Sequence, residues 1–362
     1  MPWDSLLLQK RSEIGITLTA SNEDCNRDWI SFDGRGVGKG LKDDLGRNLF
    51  GQHIAAAVIM HAVNGFMNND NPNKPLVLSF HGTTGTGKNL ASLLIVKNIY
   101  KKGMDSRFVH YFNSVVHFPE NFPEKVETYK SQLQHWIRGN VSNCAHSLFI
   151  FDQMDNMHPG LIDCIKPFLD QRHKLDGVSY RNAIFIFLSN GGGEILTQTT
   201  LDFWNAGKDR QEIKLKDVEA ALSSSVFNNH NSGVSNVVDF FIPFLPLERR
   251  HIVQCIMVAM KAMGLEPEHE KACELADEIL NYFPKDEKFF SVSGHICFQL
   301  PDRVVFRRWY DPRGKGDLLQ LLVPLVLHLQ VLKIVHGFLG VGHYGNAKTL
   351  HCLRGRLYWP DC

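Results

Sequence analysis

The sequence predicts an α/β fold built on a central parallel sheet, and three observations predict it. Four continuous apolar or aromatic runs, LVLSFH (76–81), FVHYFN (108–113), SLFIFD (147–152) and AIFIFLS (183–189), have the composition of strands buried on both faces. Helical spacing of apolar residues lies between them, notably over 88–101 and 123–138. A glycine-rich turn, GTTGTGKN (82–89), joins the first run directly to the helix after it. Strands and helices that alternate in this way place helices over the faces of a parallel sheet.

The elements follow in order. Residues 1–46 are polar and punctuated by glycine (FDGRGVGKGLKDDLG), so they are expected to form a loosely ordered, variable N-terminal segment. Apolar residues at helical spacing predict a helix from about Gly51 to Phe66, opening an α/β domain over 47–246. After FFIPFLPLE (240–248) the pattern holds helices alone, about 247–263 and 268–281, which predicts a small helical domain over 247–297. Beyond residue 298 a divergent tail begins with PDRVVFRRWYDPRGKG and continues in a leucine-rich run, roughly 318–339. That run has nearly the length of a membrane span but carries Pro324, Gln320, Gln330 and Lys333. An amphipathic helix pair and an unstructured terminus are the alternatives to a span.

Composition narrows the function. A net charge of +1 and a pI near 7.7 lack the positive balance of a dedicated nucleic-acid binder, so nucleic acid is not an expected partner. The eight cysteines show no CxxC and no zinc spacing. Their dispersion fits buried thiols at least as well as disulfides and leaves the redox compartment open. The first fifteen residues hold only the apolar run Leu6–Leu8, too short for a secretory leader, so none is expected in this chain. Asn140-Val141-Ser142 is a lone glycosylation sequon.

The chemistry concentrates at strand ends. Gly82, Thr83, Thr84, Gly85, Thr86, Gly87 and Lys88 form the GxxxxGK frame of a phosphate loop. Its glycines let backbone N–H groups turn onto phosphates, the helix N-terminus adds positive potential, and the lysine reaches the β and γ oxygens. Asn89 stands where Ser or Thr usually ligates magnesium; an amide oxygen can ligate the ion or one of its waters, and capping the helix is the other use of asparagine there. Asp152 ends its strand where a carboxylate reaches toward magnesium, and Asn190 ends FIFLSN where an amide can position the attacking water. Gln153 follows Asp152, where a hydrolytic ATPase usually carries glutamate.

These elements, in this order, resemble an AAA+ ATPase, and in detail they resemble the torsins. The words NLFGQHIA, KPLVLSFHGTTGTGKN, QLQHWIRGNVS, FIFDQMDNMHPGLID, GVSYRNAIFIFLSN, LDFWNAGK and PFLPLE carry the likeness, over about Leu49–Ser293, and the Asn after the loop lysine is its most specific feature. The resemblance implies ATP and magnesium as cofactors, and a chaperone-like remodeller of the endoplasmic reticulum lumen and nuclear envelope. It implies activation by the luminal domains of lamina-associated-polypeptide-type membrane proteins, which donate the arginine that torsins lack. A homo-oligomer and misfolded or membrane-linked clients are further implied partners.

The chain departs from that pattern in four places. Torsins carry glutamate at the position of Gln153, and a neutral amide cannot accept a proton from water at any useful pKa. Torsins end the helical domain with Gly-Cys-Lys, where this chain has Gly294-His295-Ile296, so Cys255 keeps the earlier cysteine of a redox pair but lacks its partner. The link NSGVSNVVDFFIPF is shorter than its counterpart, and after Gly294 the resemblance is expected to end. Two functions follow: an activator-dependent ATPase of torsin type, or a scaffold that holds ATP without useful turnover. A nucleotide kinase is disfavoured because no acceptor lid lies between the strands.

Overall fold

The computed structural model describes residues 22–30, 37–118, 123–171, 174–219, 222, 236–262 and 264–279, together with five short strands beyond them. The chain divides into a sheet unit, Ile16–His251, and a second unit that takes in the chain from Ile252.

In chain order the sheet unit contains α1 (Asn22–Asp28), α2 (Val37–Asn48), α3 (His53–Met67), β1 (Leu76–His81), α4 (Lys88–Ile99), β2 (Val109–Asn113) and α5 (Ser114–His117). After these come α6 (Val126–Asn143), β3 (Leu148–Asp152), α7 (Pro159–Ile165), β4 (Ile184–Ser189), α8 (Gly193–Asn205) and β5 (Phe240–Pro243). The five strands form one parallel sheet in the order β2-β3-β4-β1-β5. Register aligns their carboxyl ends: His81 pairs with Ser189 and Pro243, and Asn113 with Asp152. In an open α/β sheet that edge, where the strand order reverses, is where ligands bind.

The strands are continuous apolar runs because both faces are covered. Leu78, Phe80, Ile150, Ile186 and Leu188 pack with Ile59 and Val63 of α3 and Ile95 and Ile99 of α4. On the opposite face Val77, Phe149, Phe151, Phe185 and Phe187 pack with Leu133 and Ile137 of α6 and Leu161 and Ile165 of α7. Alternate residues thus serve opposite layers. The second face includes a ladder of stacked rings, Phe112–Phe151 at 5.1 Å, Phe149–Phe185 at 5.0 Å and Phe151–Phe187 at 5.4 Å.

The N-terminal segment differs from the loosely ordered stretch expected over 1–46. It carries α1 and α2, and Cys25, Leu41 and Leu45 are core residues. Leu41 and Leu45 of α2, with Leu49 just past its end, recur at four-residue spacing, a narrow apolar stripe in an otherwise charged and glycine-rich stretch. Two of the glycines that read as loop punctuation, Gly38 and Gly40, are close-packing sites. A Cβ on Gly38 would lie 3.0 Å from Asn64 Oδ1, and one on Gly40 would lie 2.7 Å from Asn98 Oδ1. Cysteine usage also differs: Cys25 in α1 and Cys144 at the end of α6 form a disulfide, Cα–Cα 5.6 Å across a sequence separation of 119, whereas Cys164, Cys255 and Cys273 are free. Burial pushes the Cys255 thiol up to about 11, so it is protonated at neutral pH.

The second unit holds α9, which spans the division as Arg249–Ala262, and α10 (His269–Ile279). Ile252, Val253, Ile256 and Met260 of α9 and Ala272 and Ala276 of α10 are buried at helical spacing. The unit is not helical alone. β6 (Tyr282–Phe283) pairs antiparallel with β7 (Phe290–Ser291). Further on, β9 (Asp317–Leu322) lies between antiparallel β8 (Phe306–Tyr310) and parallel β10 (Leu357–Tyr358). The leucine-rich run, for which a membrane span, a helix pair and an unstructured terminus were the expectations, begins instead as a strand, its backbone paired with FRRWY; its remainder and Gly294-His295-Ile296 lie outside the described residues. Among the described residues no helix is long and apolar enough to cross a membrane.

Candidate functional site

The glycine-rich loop leaves β1 at its carboxyl end and enters α4 at Lys88. Gly82, Gly85 and Gly87 have φ of 152°, 80° and 102°, where a side chain is strained. At Gly82 space forbids one as well, since a Cβ would meet the Phe244 carbonyl oxygen at 2.4 Å. Gln52, buried at the start of α3, donates to the Thr86 carbonyl (2.9 Å) and to the Leu245 carbonyl (2.8 Å), and accepts from Leu245 N–H (2.9 Å). One amide thus holds the loop to the chain after β5. Thr86 Oγ1 donates to the Thr83 carbonyl at 2.8 Å.

Lys88 is buried in this cradle. Its Nζ donates to the carbonyls of Gly82 (2.6 Å) and Thr83 (2.9 Å) and to Asn190 Oδ1 (3.0 Å), and Thr84 Oγ1 donates to the same Asn190 oxygen (3.3 Å). Burial pulls the ammonium down to about 8, with Asp152 and Asp155 opposing the shift. An ammonium held against three neutral oxygens in a desolvated cradle is poised for an anion, whose charge would replace the solvation it has lost.

Asp152 faces the loop from the end of β3. Its Oδ2 accepts from Asn89 Nδ2 (3.0 Å) and from the Tyr111 phenol (2.5 Å), and its Oδ1 from Gln153 N–H (2.8 Å). Ser114 Oγ donates to the Asp152 carbonyl at 3.0 Å. The backbone then turns sharply: Gln153 takes the left-handed conformation at φ 58° and leads into a 3-10 turn, Met154–Asn156. Asp152 and Asn89 together offer hard oxygen donors of the kind magnesium takes directly or through water.

Asn190 stands at the end of β4, held by neighbours the sequence reasoning missed. Asp155 accepts from Asn190 N–H (2.6 Å), Gly191 N–H (3.1 Å) and the Ser189 hydroxyl. His81 Nδ1 donates to the Gly191 carbonyl (3.2 Å), and His81 Nε2 accepts from Ser79 Oγ (2.7 Å). Burial lowers the His81 imidazole to about 4, so it is neutral at pH 7 and its tautomer follows from these two partners.

The fold therefore brings Gly82 to Asn89, Asp152, Gln153 and Asn190 to one edge of the sheet. Lys88–Asn190 and Asn89–Asp152 are direct contacts, while the Gln153 side-chain amide makes no hydrogen bond to the described residues. Tyr111, Asp155, His81 and Gln52 were not expected. The signals were thin: a second carboxylate three residues after Asp152, and a histidine immediately before Gly82.

Residues 21–151 match the family model described as Torsin, and residues 247–304 that described as Torsin-1A, C-terminal domain. The chain belongs to the torsin family. The second match runs past Ser293 and Gly294, where the resemblance was expected to end, so torsin character reaches residue 304. Among solved structures, the chain is similar to the S. cerevisiae Hsp104:casein complex in its extended conformation, with TM-score 0.50 and 18% identity over 68% of this chain and 44% of that one. The S. cerevisiae Hsp104-ADP complex matches with TM-score 0.46 and 18% identity over 74% of this chain and 46% of that one. This torsin spans less than half the length of those chains, and at such identity the likeness concerns fold alone. With the 5-1-4-3-2 parallel sheet, that fold is AAA+.

Proposed function

We propose that this torsin AAA+ ATPase binds Mg-ATP at the carboxyl edge of its sheet and hydrolyses it slowly, under the control of an activator. The observation that carries the proposal is the meeting of Lys88 with Asn190 above the glycine cradle, opposite the Asn89–Asp152 pair. Backbone N–H groups of 82–89 and the Lys88 ammonium would take the phosphates; Asp152 and Asn89 would hold magnesium, and Asn190 would orient the attacking water. Bound magnesium offsets charge on the phosphate oxygens.

Gln153 can hydrogen-bond that water but cannot take its proton, and a missing general base costs about a hundredfold or more. Turnover then depends on an arginine supplied in trans, for which the luminal domain of a lamina-associated-polypeptide-type membrane protein is the proposed donor. Residence in the endoplasmic reticulum lumen and nuclear envelope, and chaperone-like work there, follow from family membership. The Cys25–Cys144 disulfide supports an oxidising compartment. The neutral amide at 153 also favours a second reading, an ATP-gated scaffold that holds clients or membrane partners without discharge.

Single-turnover hydrolysis in the presence of the activator domain separates the two. Phosphate release accelerated by activator supports the ATPase; ATP that stays intact while activator remains bound supports the scaffold.

A further inference from the structure

The Asn190 turn is clamped from two sides. Asp155 sits on the 3-10 turn after β3, and its carboxylate accepts from three consecutive residues, through the Ser189 hydroxyl, Asn190 N–H and Gly191 N–H. His81 sits at the end of β1, one residue before the phosphate loop, and donates to the carbonyl of the same Gly191. The His81 ring packs on Phe241 with centroids 5.7 Å apart, and Ser79 fixes its other nitrogen.

The turn also touches the loop backbone. A Cβ on Gly193 would lie 2.7 Å from Thr83 N, and one on Gly191 would lie 3.0 Å from Ser189 Oγ and 3.4 Å from Asp155 Oδ1. No slack remains on either side. The Asn190 side chain, which reaches Lys88 Nζ at 3.0 Å, is therefore aimed by groups that do not touch the ligand site themselves.

We infer that Asp155 and His81 are positioning residues that hold the Asn190 amide where a γ-phosphate lies beside Lys88, so that this clamp gives the site its preference for ATP over ADP. The inference rests on the nucleotide reading of the loop. Charge alone gives the opposite expectation, because a carboxylate near a γ-phosphate disfavours ATP. Asp155 serves instead through its geometry, its oxygens being committed to two backbone N–H groups and a hydroxyl. His81 is neutral and contributes a directed hydrogen bond without charge.

The test is calorimetric titration of the full chain with ATPγS, which outlasts the measurement, and with ADP. Wild type, Asp155→Asn and His81→Phe are compared, with Ser189→Ala as the milder variant should either fold poorly. Asp155→Asn keeps one acceptor oxygen and turns an amide NH2 toward the other site, so one of the two backbone donors, Asn190 N–H or Gly191 N–H, loses its acceptor; His81→Phe keeps a ring against Phe241 but leaves the Gly191 carbonyl without its donor. Each is expected to lower the ATPγS-to-ADP affinity ratio by about tenfold while ADP affinity stays within about twofold, since a charge-assisted or buried hydrogen bond is lost only where Asn190 acts. Ser189→Ala is expected to lower the ratio by about threefold.

A general loss of structure would weaken both nucleotides alike and leave the ratio unchanged. An unchanged ratio in the folded variants overturns the inference. So does a rise in Asp155→Asn with no change in His81→Phe or Ser189→Ala, which would mark an effect of charge. A wild type that binds neither nucleotide overturns the phosphate-loop reading and this inference with it, whereas a wild type that binds both equally overturns this inference alone.

Discussion

Lys88 couples ligand binding to protonation in a direction the structure sets. In the free protein burial holds its ammonium at about 8, below the ordinary 10.5 of an unfolded chain. A group whose folded pKa is depressed adds stability above its unfolded pKa and loses it as pH falls through the folded value, so the stability of the free protein rises as pH climbs from about 8 to 10.5 and the cost of the buried ammonium is relieved. The gap between the two values corresponds to about 3 kcal/mol. Nucleotide phosphates favour the ammonium, so binding draws a proton onto Lys88 and must weaken as pH rises. With a folded value near 8, the protonated fraction falls from about nine-tenths at pH 7 to about one-tenth at pH 9, and nucleotide affinity falls about tenfold. Two assays check this: titration of ADP at both pH values, and urea unfolding of wild type and Lys88→Met from pH 7 to 10.5. The Lys88→Met chain should not bind nucleotide, and its stability advantage over wild type should shrink as pH rises. Affinity independent of pH, together with a stability difference that stays flat across that range, would refute the reasoning.

Three further outcomes are expected. Gln153→Glu should raise activator-stimulated turnover at least about tenfold with little change in ATP affinity, because the carboxylate acts mainly in the transition state; a wild type as fast as the variant would show that Asn190 and the donated arginine suffice. Opening the Cys25–Cys144 disulfide by a Cys25→Ala/Cys144→Ala double substitution should cost about 4–5 kcal/mol of unfolding free energy, the loop-entropy value for its separation of 119. Denaturant midpoints that coincide for the two proteins would contradict it. Tyr111→Phe removes one of the two donors to Asp152 Oδ2 and should weaken the magnesium-dependent part of ATP binding about threefold, leaving metal-free binding unchanged.

What the sequence determined by itself is what local chemistry decides. Strands buried on both faces must be apolar throughout, so LVLSFH, SLFIFD and AIFIFLS are legible as runs, and the structure places β1, β3 and β4 within a residue of them. The phosphate loop is legible because its demands on φ are met residue by residue, by Gly82, Gly85 and Gly87. Tertiary structure decided the rest, wherever a residue takes its meaning from a distant partner. Leu41 and Leu45 belong to a helix only because α4 and the sheet cover their stripe; alone, the glycines and charges around them favour a loop. Cys25 meets Cys144 across 119 residues, a pairing that dispersed cysteines cannot announce. β9 is a strand because its backbone finds partners in β8 and β10, although its leucines suit a helix as well. Asp155 and His81 acquire their roles only where β1, β3 and β4 end side by side, because a hydrogen bond between residues 110 positions apart exists only after the sheet has brought them together.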